Sequence, residues 1–284
     1  MTDAALTVAV QGELGSNSEL AAREYFDGRD VDVLPCRTFA DLFSTLDRRG
    51  AEAALAPVEN SLAGSIHEVW DLLRERPQPV CGEIRLRIGH HLIAPPGTRL
   101  EDLRRIRSHP QALAQCREFL DGLQEVQVEP VYDTAGAVMM VKAEGRSDEA
   151  AIATAQAAED NGMQVLVADL AGIHNFTRFL VLGEGTGSGG SPKTTVVLEM
   201  DHSAAGLPAV LGQLTRAGLE VLKVETRKRA GHPWAYLVYL DFAGDAGSEP
   251  VAGALREVAG LVGGLHVVGT YPAGIAAEPR LYPR

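Results

Sequence analysis

The sequence predicts an α/β protein that ends in a smaller, ferredoxin-like domain, and three observations support this. Residues 1–182 alternate short apolar runs with amphipathic stretches, which is typical of the strands and helices of a mostly parallel sheet. Residues 183–193 are rich in glycine and serine, as a flexible linker is. Residues 194–272 follow the order β-α-β-β-α-β, and residues 273–284 remain as a tail.

The elements of the first region follow from its hydrophobic periodicity. Strands are predicted at residues 6–10, 31–34, 53–57, 106–108, 126–131, 150–153 and 165–168, with a strand pair inside 84–93. Helices are predicted at residues 19–26, 38–48 and 66–74. In the second of these helices Thr38 is the expected N-cap, and Phe39, Leu42, Phe43 and Leu46 share one face.

The same hydrophobic periodicities predict the elements of the region after the linker. Strands are predicted at residues 194–200, 220–227, 235–242 and 266–269. Helices are predicted at residues 208–216 and 251–261. Each helix connects two strands, and this arrangement predicts the ferredoxin-like order.

Composition restricts the class of partner. The chain has 284 residues, enough for two or three compact lobes, and a formal net charge of −12. This acidic excess argues against nucleic acid and against an anionic membrane surface as partner. The sequence contains no run of apolar residues long enough to span a bilayer. Its first residues lack the basic start of a signal peptide, so we expect a cytoplasmic protein.

The sequence contains no pattern that indicates a metal or a cofactor. Cys36, Cys81 and Cys116 are widely spaced and odd in number, which favours reduced thiols over disulfides or a metal site. His90 and His91 are adjacent in a predicted strand and are expected to point to opposite faces. No glycine-rich dinucleotide or phosphate-binding motif is present, so we expect no nucleotide cofactor.

Four turns of small polar residues stand between a strand and a helix. They lie at residues 11–19, 57–65, 108–111 and 133–136. The N–H groups at such helix starts can bind a carboxylate without lysines, and Gln111 and Gln115 lie one helical turn apart. The alternative is that the polar residues of these turns only cap helices. Because ligands bind where such turns converge, the four turns favour a cleft for a small dicarboxylate.

Two further clusters offer groups for chemistry. Glu59, Asn60 and Ser61 place a carboxylate, an amide and a hydroxyl on one loop, where they could orient and polarise a substrate. Thr177 is a hydroxyl donor next to Arg178, whose guanidinium could clamp a carboxylate with two hydrogen bonds. The alternative for this second pair is an ordinary strand residue beside a surface arginine. The residues alone therefore indicate a two-lobed α/β protein that binds a small carboxylate.

The same motifs resemble those of the prephenate dehydratase family, in the same order along nearly the whole chain. They are VAVQG at residues 8–12, GSNS at 15–18, PVENSLAGS at 57–65, SHPQALAQC at 108–116, DTAGA at 133–137, AIA at 151–153 and TRF at 177–179. Asn17 stands where the family usually has an aromatic residue.

The resemblance implies a periplasmic-binding-protein-like catalytic domain over residues 1–182, with the active site in a cleft. Lobe one would comprise about residues 1–80 and 168–182, and lobe two about residues 81–167. The catalytic candidates are Thr177, Asn60, Gln115 and Glu59, the last as an orienting group. The substrate-binding candidates are Arg178, Ser61, Ser108, Gln111, Ser16, Thr134, Ala135 and Phe179.

The activity implied is that of a lyase in phenylalanine biosynthesis, which decarboxylates and dehydrates prephenate to phenylpyruvate. Thr177 would donate a hydrogen bond to the departing hydroxyl, with Asn60 and Gln115 orienting it. Arg178 and the helix starts near Ser16 and Thr134 are candidates for the two carboxylates. Three alternatives remain: an arogenate dehydratase, a prephenate decarboxylase that does not aromatise the ring, and a non-catalytic sensor of amino acids or carboxylates.

Residues 194–272 resemble an ACT domain, the phenylalanine sensor of the family, although their motifs AAGL at 204–207 and ETRK at 225–228 depart from the family pattern. The resemblance implies phenylalanine as an effector and a homodimer or homotetramer. The candidate effector residues are Ala205, Gly206, Leu207, Glu225, Thr226 and Arg227.

Overall fold

The computed structural model describes residues 5–123, 125–172, 174–184, 190–201, 206–274 and 276–282. The chain divides into two compact units. The first unit comprises Met1–Trp70, Ile84–Leu180 and Ala276–Arg284, and the second comprises Asp71–Glu83 and Val181–Ile275. The catalytic candidates named above all belong to the first unit.

The described residues form strands and helices along the whole chain. The strands are β1 (Leu6–Gln11), β2 (Val31–Cys36), β3 (Ala53–Asn60), β4 (Gly64–Ser65), β5 (Val80–Arg87), β6 (His91–Ala94), β7 (Arg105–Ser108), β8 (Gln127–Pro130), β9 (Glu149–Ala153), β10 (Gln164–Val167), β11 (Phe176–Gly183), β12 (Pro192–Met200), β13 (Val221–Lys228), β14 (Tyr236–Ala243), β15 (Gly264–Pro272) and β16 (Ala276–Ala277). The helices are α1 (Asn17–Tyr25), α2 (Phe39–Asp47), α3 (His67–Glu75), α4 (Pro110–Gln115), α5 (Arg117–Asp121), α6 (Thr134–Glu144), α7 (Ala155–Asn161), α8 (Leu207–Arg216) and α9 (Glu249–Ala259), with a 3₁₀ turn at Leu100–Asp102.

The first sheet has the strand order β16-β5-β11-β3-β1-β2, with the short β4 paired to β3. Strands β1, β2 and β3 are parallel, and β1 and β3 are largely buried, as the apolar runs predicted. Strand β2 lies at the sheet edge, and only its end residues Val31 and Cys36 are buried. Helix α2 begins at the predicted N-cap, because the Thr38 side chain accepts a hydrogen bond from the Asp41 N–H while the Asp41 carboxylate accepts from the Thr38 N–H. These strands bring the ends of β1 and β3, with their polar turns, to one edge of the sheet.

The second sheet has the order β10-β6-β9-β7-β8 and carries helices on both faces. On one face α6 and α7 pack through an apolar cluster that contains Ile93, Val138 and Val141. On the other face a second cluster contains Leu92 and Ile106. Helix layers on both sides explain why β9 is buried along its whole length.

The chain passes between the two sheets at residues 88–90 and returns before β11. The prediction of a strand pair inside residues 84–93 is therefore wrong, because β5 belongs to the first sheet and β6 to the second. Strand β5 runs through the expected change of lobe near residue 81 and continues the first sheet to Arg87. Alternating apolar residues identify a strand but carry no information on which sheet it joins.

The predicted tail adds to the first unit instead of standing apart from it. Strand β16 pairs in parallel with β5 at the sheet edge. Arg280 donates hydrogen bonds of 2.9 and 2.8 Å to the two carboxylate oxygens of Glu24 on α1. The Tyr282 N–H donates to the Gln156 side chain on α7, so the tail contacts a helix of each lobe.

The second unit contains a four-stranded antiparallel sheet of order β13-β14-β12-β15. Along the chain its elements follow β-α-β-β-α-β, as predicted for a ferredoxin-like fold. One face packs against α8 and α9 through a core that contains Leu198, Val210, Leu240, Phe242 and Val258.

On the other face of this sheet lies a buried cluster of charged and hydroxyl groups. The Lys193 ammonium forms an ion pair with Glu83 and lies 3.7 Å from the Asp241 carboxylate. Thr195 donates to Asp241 over 2.6 Å and shares a hydrogen bond of 2.5 Å with the Tyr271 hydroxyl. All three charged residues are at least nine-tenths buried, so each depends on its partners in place of water.

We predict that Lys193→Met destabilises the protein by about 3–5 kcal/mol, because the carboxylates of Glu83 and Asp241 then lose a buried cation. Differential scanning calorimetry should show a clearly lowered melting temperature. The double variant Lys193→Met/Glu83→Gln also removes one of the two carboxylate charges and should recover part of the lost stability. An unchanged melting temperature in Lys193→Met would contradict this account of the cluster.

Candidate active site

A cavity of about 390 Å³ lies between the two lobes of the first unit. Its wall includes side chains from the ends of β1 and β3, and from the starts of β11, α1, α4 and α6. The predicted site residues that line it are Ser16, Asn60, Gln111, Gln115, Thr134, Thr177 and Phe179. Five separate sequence motifs therefore meet in one cavity.

Asn60 is the centre of a hydrogen-bond network in this wall. Its side-chain oxygen accepts from the backbone N–H groups of Leu62 and Ala63 at 3.0 and 2.9 Å, which fixes the amide orientation. The same oxygen accepts from the Gln115 amide nitrogen at 3.1 Å. Asn60 is 4 % exposed, so no bulk water competes for these bonds.

The orientation of Asn60 determines what the Thr177 hydroxyl can do. The Asn60 amide nitrogen donates to Thr177 Oγ1 over 3.0 Å and to the Asn175 side-chain oxygen over 2.8 Å. An amide nitrogen cannot accept a hydrogen bond, so the Thr177 oxygen must be the acceptor. The Thr177 proton is not used by this bond and can be donated into the cavity. The wall thus contains a polarised hydroxyl donor.

His90 joins this network, although no sequence motif assigned it a role. The ring is 4 % exposed and lines the cavity. Its Nε2 atom lies 2.8 Å from the Gln115 side-chain oxygen, which also accepts from the Asn175 amide at 2.9 Å. Burial lowers the pKa of His90, against the opposing effect of Gln115. The HH pair in an apolar strand did not reveal which histidine faces the site.

Helix starts contribute to the wall in two different ways. At α1 the Ser16 hydroxyl caps the helix by accepting from the Glu19 N–H at 3.4 Å. At α6 the Asp133 carboxylate accepts from the Gly136 N–H at 2.9 Å, so this helix start already has an anion beside Thr134. Burial raises the pKa of the Asp133 carboxyl, while the hydrogen bonds from the helix start oppose the rise. The start of α1 has a carboxylate too, because Glu19 accepts from the Gly15 N–H over 2.6 Å, but Arg23 pairs with Glu19 at 2.8 Å and balances its charge. The start of α1 is therefore the better place for a ligand carboxylate.

Two hydrogen bonds connect the lobes at the turn after β1. The Thr154 hydroxyl at the start of α7 donates to the Gly15 carbonyl over 2.6 Å, and the Tyr132 hydroxyl donates to Glu13 over 2.5 Å. Gly15 has a φ of +87°, and a Cβ there would lie 3.1 Å from Ala157. The backbone at Gly15 therefore approaches α7 closely, which a larger residue would prevent.

Arg178 is not brought to the cavity, contrary to the expectation that it clamps a carboxylate. Thr177 and Phe179 line the cavity, and Arg178 lies between them on a strand whose side chains alternate faces. Its Nε atom lies 3.5 Å from the Glu59 carboxylate, and its guanidinium stacks 5.8 Å from the centre of the Trp70 ring. Glu59 and Arg178 thus stand behind the cavity wall, where they support the strands that hold Asn60 and Thr177.

Three other candidates also hold the structure around the cavity instead of lining it. The Ser61 hydroxyl donates to the His174 carbonyl and accepts from the Phe176 N–H, which ties the entry of β11 to β3. Ser108 is fully buried and donates to the Ile152 carbonyl over 2.6 Å. Ala135 is 2 % exposed within the apolar face of α6. A hydroxyl beside a turn is equally suited to a ligand and to a neighbouring carbonyl, so sequence could not separate these roles.

The predicted effector residues belong to the second unit. Ala205 lies outside the described residues, whereas Gly206 and Leu207 form the start of α8. Glu225, Thr226 and Arg227 lie on the edge strand β13. The Arg227 guanidinium donates to the Asp71 carboxylate over 2.9 Å. Burial lowers the pKa of Arg227, but the bond to Asp71 opposes this and the pKa is raised overall.

The charge of the cavity wall is unusual for a site that receives an anion. Among the described residues that line it, the ionisable side chains are Glu68, His90, His109, Tyr132 and Asp133, with no lysine or arginine. Burial also lowers the pKa of His109, which favours the neutral ring. Any anion must therefore be held by neutral N–H and O–H donors and by the start of α1.

Two kinds of feature are absent from the described residues. No group of three or more His, Cys, Asp or Glu side chains in this part of the chain is placed to hold a metal ion. None of the helices in the same part is long and apolar enough to cross a membrane.

The fold and the site define a class of protein: an α/β protein of two lobes whose cavity presents hydroxyl and amide donors to a small polar ligand. The prephenate dehydratase family model matches residues 8–186. The chain is 35 % identical over 278 residues to arogenate dehydratase/prephenate dehydratase 2 of Arabidopsis thaliana, covering 93 % of this chain and 72 % of that one. This chain belongs to the prephenate dehydratase family, as its motifs predicted.

Two further relatives agree with this assignment. A bifunctional N-acyl-homoserine lactone acylase/prephenate dehydratase of Komagataeibacter europaeus is 34 % identical, over 94 % of this chain and 95 % of the relative. The crystal structure of a prephenate dehydratase from Arthrobacter aurescens in complex with L-Phe superposes with a TM-score of 0.82 at 28 % identity. It covers 94 % of this chain and 90 % of the other. The expected α/β fold and enzyme family are therefore confirmed.

We predict that Asn60→Asp lowers kcat by about 10²-fold or more. A carboxylate at this position accepts a hydrogen bond from the Thr177 hydroxyl, so this hydroxyl can no longer donate to a ligand. The side chain keeps its shape and can still accept from Leu62 and Ala63, so the fold should persist. Steady-state kinetics and the melting temperature together check this. Near-normal turnover in a folded variant would show that the direction of the Asn60–Thr177 bond is unimportant.

Proposed function

We propose that this protein converts prephenate to phenylpyruvate, carbon dioxide and water. The observation that carries the proposal is the hydrogen bond from the Asn60 amide to Thr177 Oγ1, which leaves the hydroxyl proton for the cavity. Prephenate has a hydroxyl on the ring carbon opposite its ring carboxylate, and that hydroxyl must leave. A directed donor at the leaving oxygen is the group that this reaction requires.

The substrate supplies most of the driving force, because its ring becomes aromatic. The bond between the ring and its carboxylate breaks and releases carbon dioxide, and the bonding electrons enter the ring. The carbon–oxygen bond opposite breaks with its electron pair on oxygen. Thr177 stabilises the charge that develops on this oxygen by hydrogen bonding, and solvent supplies the proton that completes water. A threonine hydroxyl is too weak an acid to be the net proton source at neutral pH.

Binding of the two carboxylates falls to neutral groups in this proposal. The pyruvyl carboxylate is placed at the start of α1, where Ser16, Asn17 and Ser18 line the cavity and the helix dipole favours negative charge. The ring carboxylate is placed toward Gln111 and Thr134. Weak binding of this group suits the reaction, since it must lose its charge as carbon dioxide. Phe179 provides an apolar surface for the ring.

We further propose that the second unit is an ACT domain that senses phenylalanine. Its ferredoxin-like element order and the looser motif matches support this, as does the relative crystallised with L-Phe. The lobes of the first unit are proposed to be periplasmic-binding-protein-like, and the protein to be a cytoplasmic homodimer or homotetramer. Its cysteines Cys36, Cys81 and Cys116 are not joined in disulfides, which suits a reducing compartment. Adding phenylalanine to the turnover assay tests the regulatory part.

We predict that the purified protein releases phenylpyruvate from prephenate, detected as an aromatic keto acid by chromatography. Arogenate, which has an amino group in place of the keto group, should be turned over with a lower kcat/KM. Asn60→Asp purified in the same way is the matched control for a contaminating host enzyme.

A non-aromatic decarboxylation product would show that the enzyme does not aromatise the ring. Binding of prephenate without any product would instead indicate a sensor. Either result would end the proposal.

A further inference from the structure

The backbone determines the orientation of the side-chain amides in the cavity wall. The N–H groups of Leu62 and Ala63 fix the Asn60 oxygen, so the Gln115 group that faces this oxygen must be its nitrogen. The Gln115 oxygen must then face the other way. There it meets two side chains, the Asn175 amide and the His90 ring.

These successive hydrogen bonds determine the tautomer of His90. A carbonyl oxygen carries no hydrogen, so the Nε2 atom of His90 must be protonated in order to bond to Gln115 over 2.8 Å. In the neutral ring Nδ1 is then the unprotonated nitrogen. It is buried and has no hydrogen-bond partner among the described residues. A proton added at Nδ1 would lack an acceptor, so the ring remains a neutral donor through Nε2.

A buried imidazole with one unsatisfied nitrogen costs stability, so its presence in the cavity wall needs an explanation. The Gln115 oxygen accepts from both His90 and Asn175, and two donors on one amide oxygen polarise the amide and strengthen its N–H groups as donors. One of those N–H groups is used by Asn60. The second belongs to an amide that lines the cavity.

We propose that His90 is a positioning residue for the dehydration: through Gln115 it holds the amide network that presents donors to the departing hydroxyl. The inference rests on the proposed function. Its Nε2–H acts on the Gln115 oxygen, so His90 acts through Gln115 and not on the reacting atoms. Neither the sequence motifs nor the resemblance to the family assigned a role to this residue.

A matched pair of variants separates this role from simple packing. A glutamine at position 90 places an amide nitrogen near the position of Nε2, whereas an asparagine places it near Nδ1. His90→Asn should lower kcat about tenfold with KM nearly unchanged, and His90→Gln should stay within about threefold of the original enzyme, the scale of one lost hydrogen bond. His91→Gln is the control, because its ring bonds to the Asp169 N–H outside the cavity.

A double-mutant cycle tests whether His90 acts through Gln115. In a Gln115→Leu background, His90→Asn should lower kcat by less than about twofold, because the amide oxygen on which His90 acts has been removed. Equal effects in the two backgrounds would overturn the inference, and so would equal kcat values for His90→Asn and His90→Gln.

Nitrogen NMR of the unmodified protein gives a readout that is independent of turnover. The His90 signals should report a proton on Nε2 and none on Nδ1 from about pH 6 to pH 8. A proton on Nδ1, or titration of His90 within this range, would contradict the inference even if the variants did not fold. If the unmodified enzyme gives no phenylpyruvate, the proposed function is contradicted. The tautomer measurement remains valid in that case.

Discussion

The site depends on one local constraint, the pair of backbone N–H groups that hold the Asn60 side-chain oxygen. Leu62 and Ala63 follow Asn60 in the turn between β3 and β4, so the constraint is set within four residues of sequence. It decides which end of the Asn60 amide faces Thr177 and which faces Gln115. If this amide turned over, the Thr177 hydroxyl would become a donor to protein and would no longer serve a ligand.

The second property of the site is that it offers hydrogen bonds without a full positive charge in the described wall. Neutral donors hold an anion less tightly than an arginine does, but they lose less when the anion becomes neutral. This suits a reaction in which a carboxylate departs as carbon dioxide. Arg178, which the sequence placed at the substrate, instead stands behind the wall with Glu59 and Trp70. Its role in this account is to support strand β11.

Much of the architecture could be predicted from sequence, because local patterns determined it. The capped helix after Thr38 and the ferredoxin-like order of the second unit follow from periodicity and capping alone. The meeting of Asn60, Gln115 and Thr177 was predicted from the family motifs. Arg178 and Ser108, which the sequence placed at the substrate, lie outside the cavity wall for physical reasons. Successive side chains of a strand point to opposite faces, so Arg178 faces away from the cavity that Thr177 lines. The Ser108 hydroxyl donates to the carbonyl of Ile152, a residue far along the chain, and this partner could not be read from the local sequence.

The central claim is that the Thr177 hydroxyl donates a hydrogen bond to the leaving oxygen, and the most direct test is a comparison of two substitutions at that position. Thr177→Ser keeps the hydroxyl, whereas Thr177→Val keeps the shape and removes it. The account predicts that the kcat of Thr177→Ser stays within about tenfold of the original, while that of Thr177→Val falls by about 10²-fold or more. Equal kcat values for the serine and valine variants would contradict it.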